Sequence, residues 1–292
     1  MQLQFPPKHP LIIARTQVSL PEGAFIRALP FVVDETQRFR VDAMVMCADI
    51  MASAYAQMIE LALRSKWEET QNKEQRSGHL DIAMFQHAWS IVDQIYSLRQ
   101  LLRSLAFNGD DVDAFMSATT SVHVLRNRTD HLDQLIPNIA ASKGNSRSLF
   151  GSLSYFVLGA VVGASEVEVF VVAQHADPVR PSEQIASIRI PAELRMPIGN
   201  FVLTAAGDEV DIDTAMLTLG AVMTRTNEGF EKNIRAQVAQ KATEHGIEQD
   251  KLLAHYGARL KIMLAMNVGK TTAQSDPANE GKAGPVFSDR CR

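Results

Sequence analysis

The chain has 292 residues, 46% hydrophobic and 21% charged, an ordinary globular composition with enough apolar material for one large domain or two small ones. Its formal net charge of −4 excludes a global basic field, so a nucleic-acid contact has to come from a local cluster. Cys47 and Cys291 are its two cysteines, with no CxxC spacing and no His-paired neighbour, which excludes a disulfide framework and a zinc ribbon.

Residues 1–33 hold five prolines and no sustained helical period, and read as an extended arm with a short strand at "LIIA". The opening "MQLQFPPKHP" lacks the basic start, apolar run and small-residue cleavage site of a secretory signal, so a cytoplasmic location is expected. From Asp34, a capping residue type, apolar positions recur at three- and four-residue spacing through Val41, Met44, Val45, Ala48, Met51, Tyr55, Met58 and Ile59. That period predicts a helix over about 34–66, with Cys47 in its stripe.

After the polar "EETQNKEQRSG" a second helix is predicted over about 80–105. It has two apolar rows, Met84, Ala88, Ile91, Ile95, Leu98, Leu102 and Phe85, Trp89, Val92, Tyr96. Two rows imply burial between several neighbours. "FNGDD" ends it, with Asn108 and Gly109 as the stop and Asp110 or Asp111 as the next cap. A third helical region covers about 112–140, broken near the β-branched "ATTSV". Three such helices predict an antiparallel, up-and-down bundle over 34–147.

The period then changes to two. Strands are expected at about 152–161, 166–174, 185–190, 200–205 and 208–213, and the turn signals "GAS", "ADPVRP" and "AGD" make them a small antiparallel sheet within 148–213. The uncharged stretch 148–165 is just long enough to be considered as a membrane span. Its three glycines and four serines, with "EVEVFVV" following, favour a β-hairpin, so no membrane association is expected. The acids of "GDEVDID" have strand spacing and read as the polar edge of the sheet. Helical period returns over about 214–239 and 247–266, two C-terminal helices of a 214–266 segment, and 267–292 reads as a disordered tail. The fold class is α+β.

Within the third helical region, "LRNRTDHLDQL" concentrates polar and charged residues. On a wheel centred on Leu125, the residues Val122, Thr129, Leu132 and Ile136 form the core face; Arg126, Asn127, Asp130, His131 and Gln134 sweep the other side, away from the bundle. One reading is a solvated face, with Arg126 and Asp130 an ordinary i,i+4 surface pair. The other is a site completed by the same helix of a second copy.

"RNRTDH" resembles the R-x-x-x-x-H signature of the HEPN families (higher eukaryotes and prokaryotes nucleotide-binding), in which a polar residue commonly follows the Arg. The resemblance implies an all-α bundle of four or five helices that dimerises through its motif helix. Many members are metal-independent endoribonucleases in toxin–antitoxin, phage-defence or RNA-processing settings. It places Arg126 and His131 at the defining positions and Asn127 at the polar one, and it covers about 34–147; the β segment and the later helices have no counterpart in it. It further implies a homodimer, RNA as substrate, an antitoxin or regulatory protein as a partner, and no cofactor or metal.

The chemistry suits those residue types. Metal-free RNA cleavage needs a base for the ribose 2′-hydroxyl, an acid for the leaving 5′-oxygen and positive charge on the crowded phosphate. His131 can serve as base or acid, and Arg126 presents a planar fork to phosphate. One copy has too few groups; two across a two-fold axis supply two His and two Arg, with Asn127 orienting the His or binding a phosphate oxygen. Asp93, between the apolar rows of the second helix, is a supporting candidate, and Asp130 competes with phosphate for Arg126. His87 and His123 lie beside apolar neighbours without metal-ligand spacing and read as core or boundary histidines. "NVGKTT" at 267–272 lacks the first Gly and the preceding strand of a phosphate-binding loop and is rejected. The alternative function is a non-enzymatic helical oligomer whose β segment binds a protein partner.

Overall fold

A computed structural model describes residues 20–29, 33–71, 78–131, 133–134, 136–137, 151–158, 167–173, 198–205, 208–246 and 248–251. A 3-10 turn, Phe25–Ala28, is followed by helices α1 (Glu35–Gln71), α2 (Gly78–Ser104), α3 (Asp110–Ala118) and α4 (Val122–Asp130). Strands β1 (Ser152–Leu158), β2 (Val167–Ala173), β3 (Ile198–Ala205) and β4 (Asp208–Asp211) come next, and helix α5 (Ile212–His245) follows. The predicted strand at 185–190, most of the helix at 247–266 and the tail at 267–292 lie outside the described residues.

The chain is mixed α+β and mostly helical. It divides into one compact unit of residues 1–29 and 33–234 and a second of 30–32 and 235–292. In the second unit, Gly246 leaves the helix at φ 64°, and the Gln249 side-chain amide donates to the Arg235 carbonyl at 3.4 Å.

α1 and α2 form the main helix pair of the first unit. Asp34 caps α1 as its residue type predicts, Oδ1 accepting the Gln37 N–H at 3.0 Å. The eight apolar positions singled out in α1 are all buried, as is Cys47, whose thiol pKa is pushed up by desolvation. In α2 the first apolar row is buried throughout; of the second, Phe85 and Val92 are buried while Trp89 and Tyr96 are half-buried.

Two local expectations change. Asp110 and Asp111 do not cap α3: Gly109 does, at φ 129°, and both acids sit in the first helical turn with Asp113, where they complement the positive end of the helix. The arm is not extended throughout. In its described part the 3-10 turn buries Ile26, and the Ile26 N–H donates to Asn227 Oδ1 of α5 at 3.1 Å. Arg27 closes on Asp49 of α1 with two bonds of 2.7 Å. A few short-range turns near a proline-rich stretch carry no helical period, so the sequence pattern did not reveal this segment.

The break at "ATTSV" is as expected and is built by a buried hydroxyl. Thr119 Oγ1 donates to the Phe115 carbonyl at 2.6 Å and accepts from Arg99 Nη1 at 2.6 Å, and Arg99 also donates to the Met116 carbonyl at 2.5 Å. Arg99, buried at 8% exposure, thereby ties α2 to the end of α3 and sets where α4 begins. Burial, with Arg103 nearby, lowers its pKa. Ser121 then donates to the Glu209 carbonyl, joining α4 to β4.

The sheet is antiparallel throughout, in the order β2-β1-β3-β4. β1 pairs with β2 as the hairpin reading of 148–165 expects, and β3 on its other side makes it a central strand. The β1–β3 register shifts between Ser154 and Phe156, with Asn200 in the left-handed region at φ 57°, a β-bulge. The bulge takes Phe201 out of the ladder, and its N–H donates to Asp213 Oδ2 at 2.6 Å.

That contact corrects the reading of "GDEVDID". β4 is an edge strand, but it stops at Asp211, which caps α5: its carboxylate accepts the Thr214 N–H at 2.9 Å and the Thr214 hydroxyl at 2.8 Å. Asp213 is not on a sheet edge. It is buried in the first turn of α5 and also accepts the Tyr55 hydroxyl at 2.6 Å.

Candidate functional site

The contact between α2 and α4 positions the sequence-predicted residues. Val122 and Leu125 are fully buried and set the rotation of α4, which carries Arg126 about 100° round from Leu125. Arg126 does not point away from its own bundle. Its guanidinium lies over the Tyr96 ring of α2, 5.1 Å from the centroid, and its Nε is 2.9 Å from Asp93 Oδ1.

Asp93 and Tyr96 are three residues apart on α2 and so share one side of it. Asp130, a turn further along α4, sets Oδ1 3.7 Å from Arg126 Nη2. The Arg126–Asp93 contact is a charge pair rather than a directed hydrogen bond, since the buried Nε–H makes none. With the two side chains 31% and 51% exposed, solvent screens the pair to a modest stabilisation.

Asn127 and His131 do not meet. Asn127 Nδ2 is 3.5 Å from His123 Nδ1 instead, and the His123 ring lies 6.1 Å from that of Tyr96. His123 is exposed rather than core or boundary, because α4 turns it outward beside the Asn127 amide. His131 is exposed just past α4; its carbonyl accepts the Gln134 N–H at 3.1 Å, and its imidazole makes no polar contact among the described residues. Ile136, expected on the core face, is 49% exposed, because α4 ends at Asp130 and the helical wheel does not carry through the break. His87 is a boundary histidine, half-buried, with its pKa lowered by desolvation.

Desolvation beside α4 raises the pKa of Asp93, Arg126 opposes the shift and Asp130 adds to it. A carboxyl whose folded pKa lies above its unfolded value holds its proton more tightly when folded, so stability is lost as pH rises through that window. Asp93→Asn is therefore expected to leave the acid side unchanged and to remove part of that decline. Urea unfolding of both proteins across the carboxylate range and up to neutrality measures it; parallel pH profiles would contradict the assignment.

Among the described residues no group of three or more His, Cys, Asp or Glu is arranged to hold a metal ion. "NVGKTT" lies outside them. One stretch, Glu35–Ser65 of α1, is long and apolar enough to cross a membrane, and 56% of its apolar window is buried inside the protein.

No family model, curated protein or solved structure matches this chain.

The α2–α4 cluster therefore stands on its own chemistry: a half-buried guanidinium clamped by a ring and two carboxylates, flanked by Asn127 and two exposed imidazoles. Sequence reasoning missed Tyr96, assigned to an apolar row, and His123. The available signal for His123 was spacing, since His123, Asn127 and His131 recur every four residues along α4 and its end; for Tyr96 it was the three-residue step from Asp93.

Proposed function

We propose that the chain is a cytoplasmic, homodimeric RNA-binding protein of HEPN type that cleaves RNA without a metal, in a toxin or defence setting. The observation that carries this reading is the fixed Arg126 guanidinium beside outward-facing Asn127 on α4, with exposed His131 just past the helix end. Pre-positioned positive charge is what a crowded phosphate demands.

Arg126 and His131 are separated by five residues, about 7.5 Å along a helix axis and on different faces. One copy cannot bring both onto one phosphate, so the second copy supplies the complementary pair. Val124, 43% exposed on the same outward strip, and Ile136 offer apolar surface for that association. Asp93 and Asp130 hold Arg126 at rest, and phosphate displaces them.

Incubation of purified protein with total RNA in EDTA, for wild type, Arg126→Ala and His131→Ala, tests the reading. Cleavage by wild type that falls at least about 100-fold in each variant is expected. Equal cleavage by all three, or a wild-type protein that is monomeric and inactive, overturns it.

A second reading, a non-enzymatic interaction protein, is favoured by the exposed apolar row Phe39, Met46 and Ile50 on α1. A dimer that neither cleaves nor retains RNA supports that one.

A further inference from the structure

The turn between α2 and α3, the first turn of α1 and the middle of α5 surround a pocket of about 290 Å³. It shares no residue with the α2–α4 cluster. Phe107 from the turn and Phe230 from α5 meet edge to face, with ring centroids 6.3 Å apart, and make one part of the lining apolar.

The same pocket carries an ion pair, Arg225 Nη1 lying 3.1 Å from Asp111 Oδ2. The turn is shaped around that guanidinium. A Cβ on Gly109 would come within 2.7 Å of Arg225 Nη1, and φ of +129° there suits glycine alone. Ala106, at φ 52°, is a separate feature: it ends α2 ahead of the expected stop at Asn108 and Gly109, with the Phe107 N–H donating to the Leu102 carbonyl at 3.2 Å.

The two charged side chains are 57% and 35% exposed. A guanidinium has five N–H donors and a carboxylate about four acceptor sites, so a single contact between them leaves each able to take a ligand. Asn108 and Asn233 add neutral amides to the lining.

We propose that this pocket binds a free apolar α-amino acid, its carboxylate on Arg225, its ammonium on Asp111 and its side chain against Phe107 and Phe230. The opposite charges stand about as far apart as those of the zwitterion. A plain anion meets repulsion from Asp111 and a plain cation meets it from Arg225, whereas the zwitterion satisfies both. The phenyl rings favour an apolar body, and the volume is near the lower end of about 300–1,000 Å³ usual for small-molecule sites.

Calorimetric titration of the full chain with L-phenylalanine and L-leucine tests this, against phenylpropanoate and phenylethylamine, which each lack one of the two charges. A dissociation constant on the order of 0.1–1 mM is expected for phenylalanine, with each analogue at least about tenfold weaker. Arg225→Gln and Phe230→Ala are expected to weaken phenylalanine at least about tenfold while keeping the wild-type circular dichroism. The analogue comparison uses wild-type protein and decides the matter even where a variant unfolds. Absence of binding by both amino acids, or analogues that bind as tightly, overturns the proposal.

Discussion

Asp213→Ala is expected to destabilise the first unit by about 3–5 kcal/mol, lowering the denaturant midpoint with little change in slope. The carboxyl group accepts two buried donors at 2.6 Å, the Tyr55 hydroxyl from α1 and the Phe201 N–H from β3. Removing it takes an acceptor from both. The bulge has withdrawn Phe201 from the ladder, and Tyr55 is fully buried, where water cannot replace the carboxylate.

The rings above the carboxyl amplify the effect. Phe201 stacks on Tyr155 of β1 at 5.5 Å and meets Tyr55 edge-on at 5.8 Å, so loss of the anchor loosens the packing of helix against sheet as well. Tyr55→Phe leaves Asp213 short of one donor and is expected to cost about 1–2 kcal/mol. The two variants should be strongly non-additive, because they break one network. Urea titration of both singles and the double checks this, and full additivity would mean that Tyr55 and Asp213 act separately.

Gly151→Ala should be as damaging, for a steric reason. Gly151 precedes β1 at φ +85°, and a Cβ there would lie 2.1 Å from the Thr204 carbonyl oxygen and 2.7 Å from the Ala205 Cβ. Both obstacles belong to β3, the strand paired with β1, so relief requires two hydrogen-bonded strands to part. A loss of about 3 kcal/mol or more is expected, enough to lower Tm by roughly 5–10 °C.

Gly220→Ala provides the contrast. It lies in α5 with open space around its Cβ position, and the change should stabilise by about 0.5–1 kcal/mol through helix propensity. Thermal melts of the two variants beside wild type read both signs at once. A Gly151→Ala protein as stable as wild type would show that the strand start can shift freely.

What the sequence by itself determined is what local periodicity encodes. The apolar stripe of α1, the first row of α2, the break after α3, the Asp34 cap and the switch from helix to antiparallel strands follow from spacing and residue type, because a helix or strand repeats its face within a few residues. The Arg126–Asn127–His131 run was visible for the same reason.

The environment of that run was not visible. Arg126 folds back onto Asp93 and Tyr96 because Arg99 and Thr119 fix where α4 starts relative to α2, a contact between residues 20 positions apart. Asp213 looked like strand edge because a buried acid and an exposed one have the same side chain; the Phe201 and Tyr55 donors come from 12 and 158 residues away. Polar groups are satisfied by whichever partners the packing of distant elements brings within reach, and only the tertiary structure chose them.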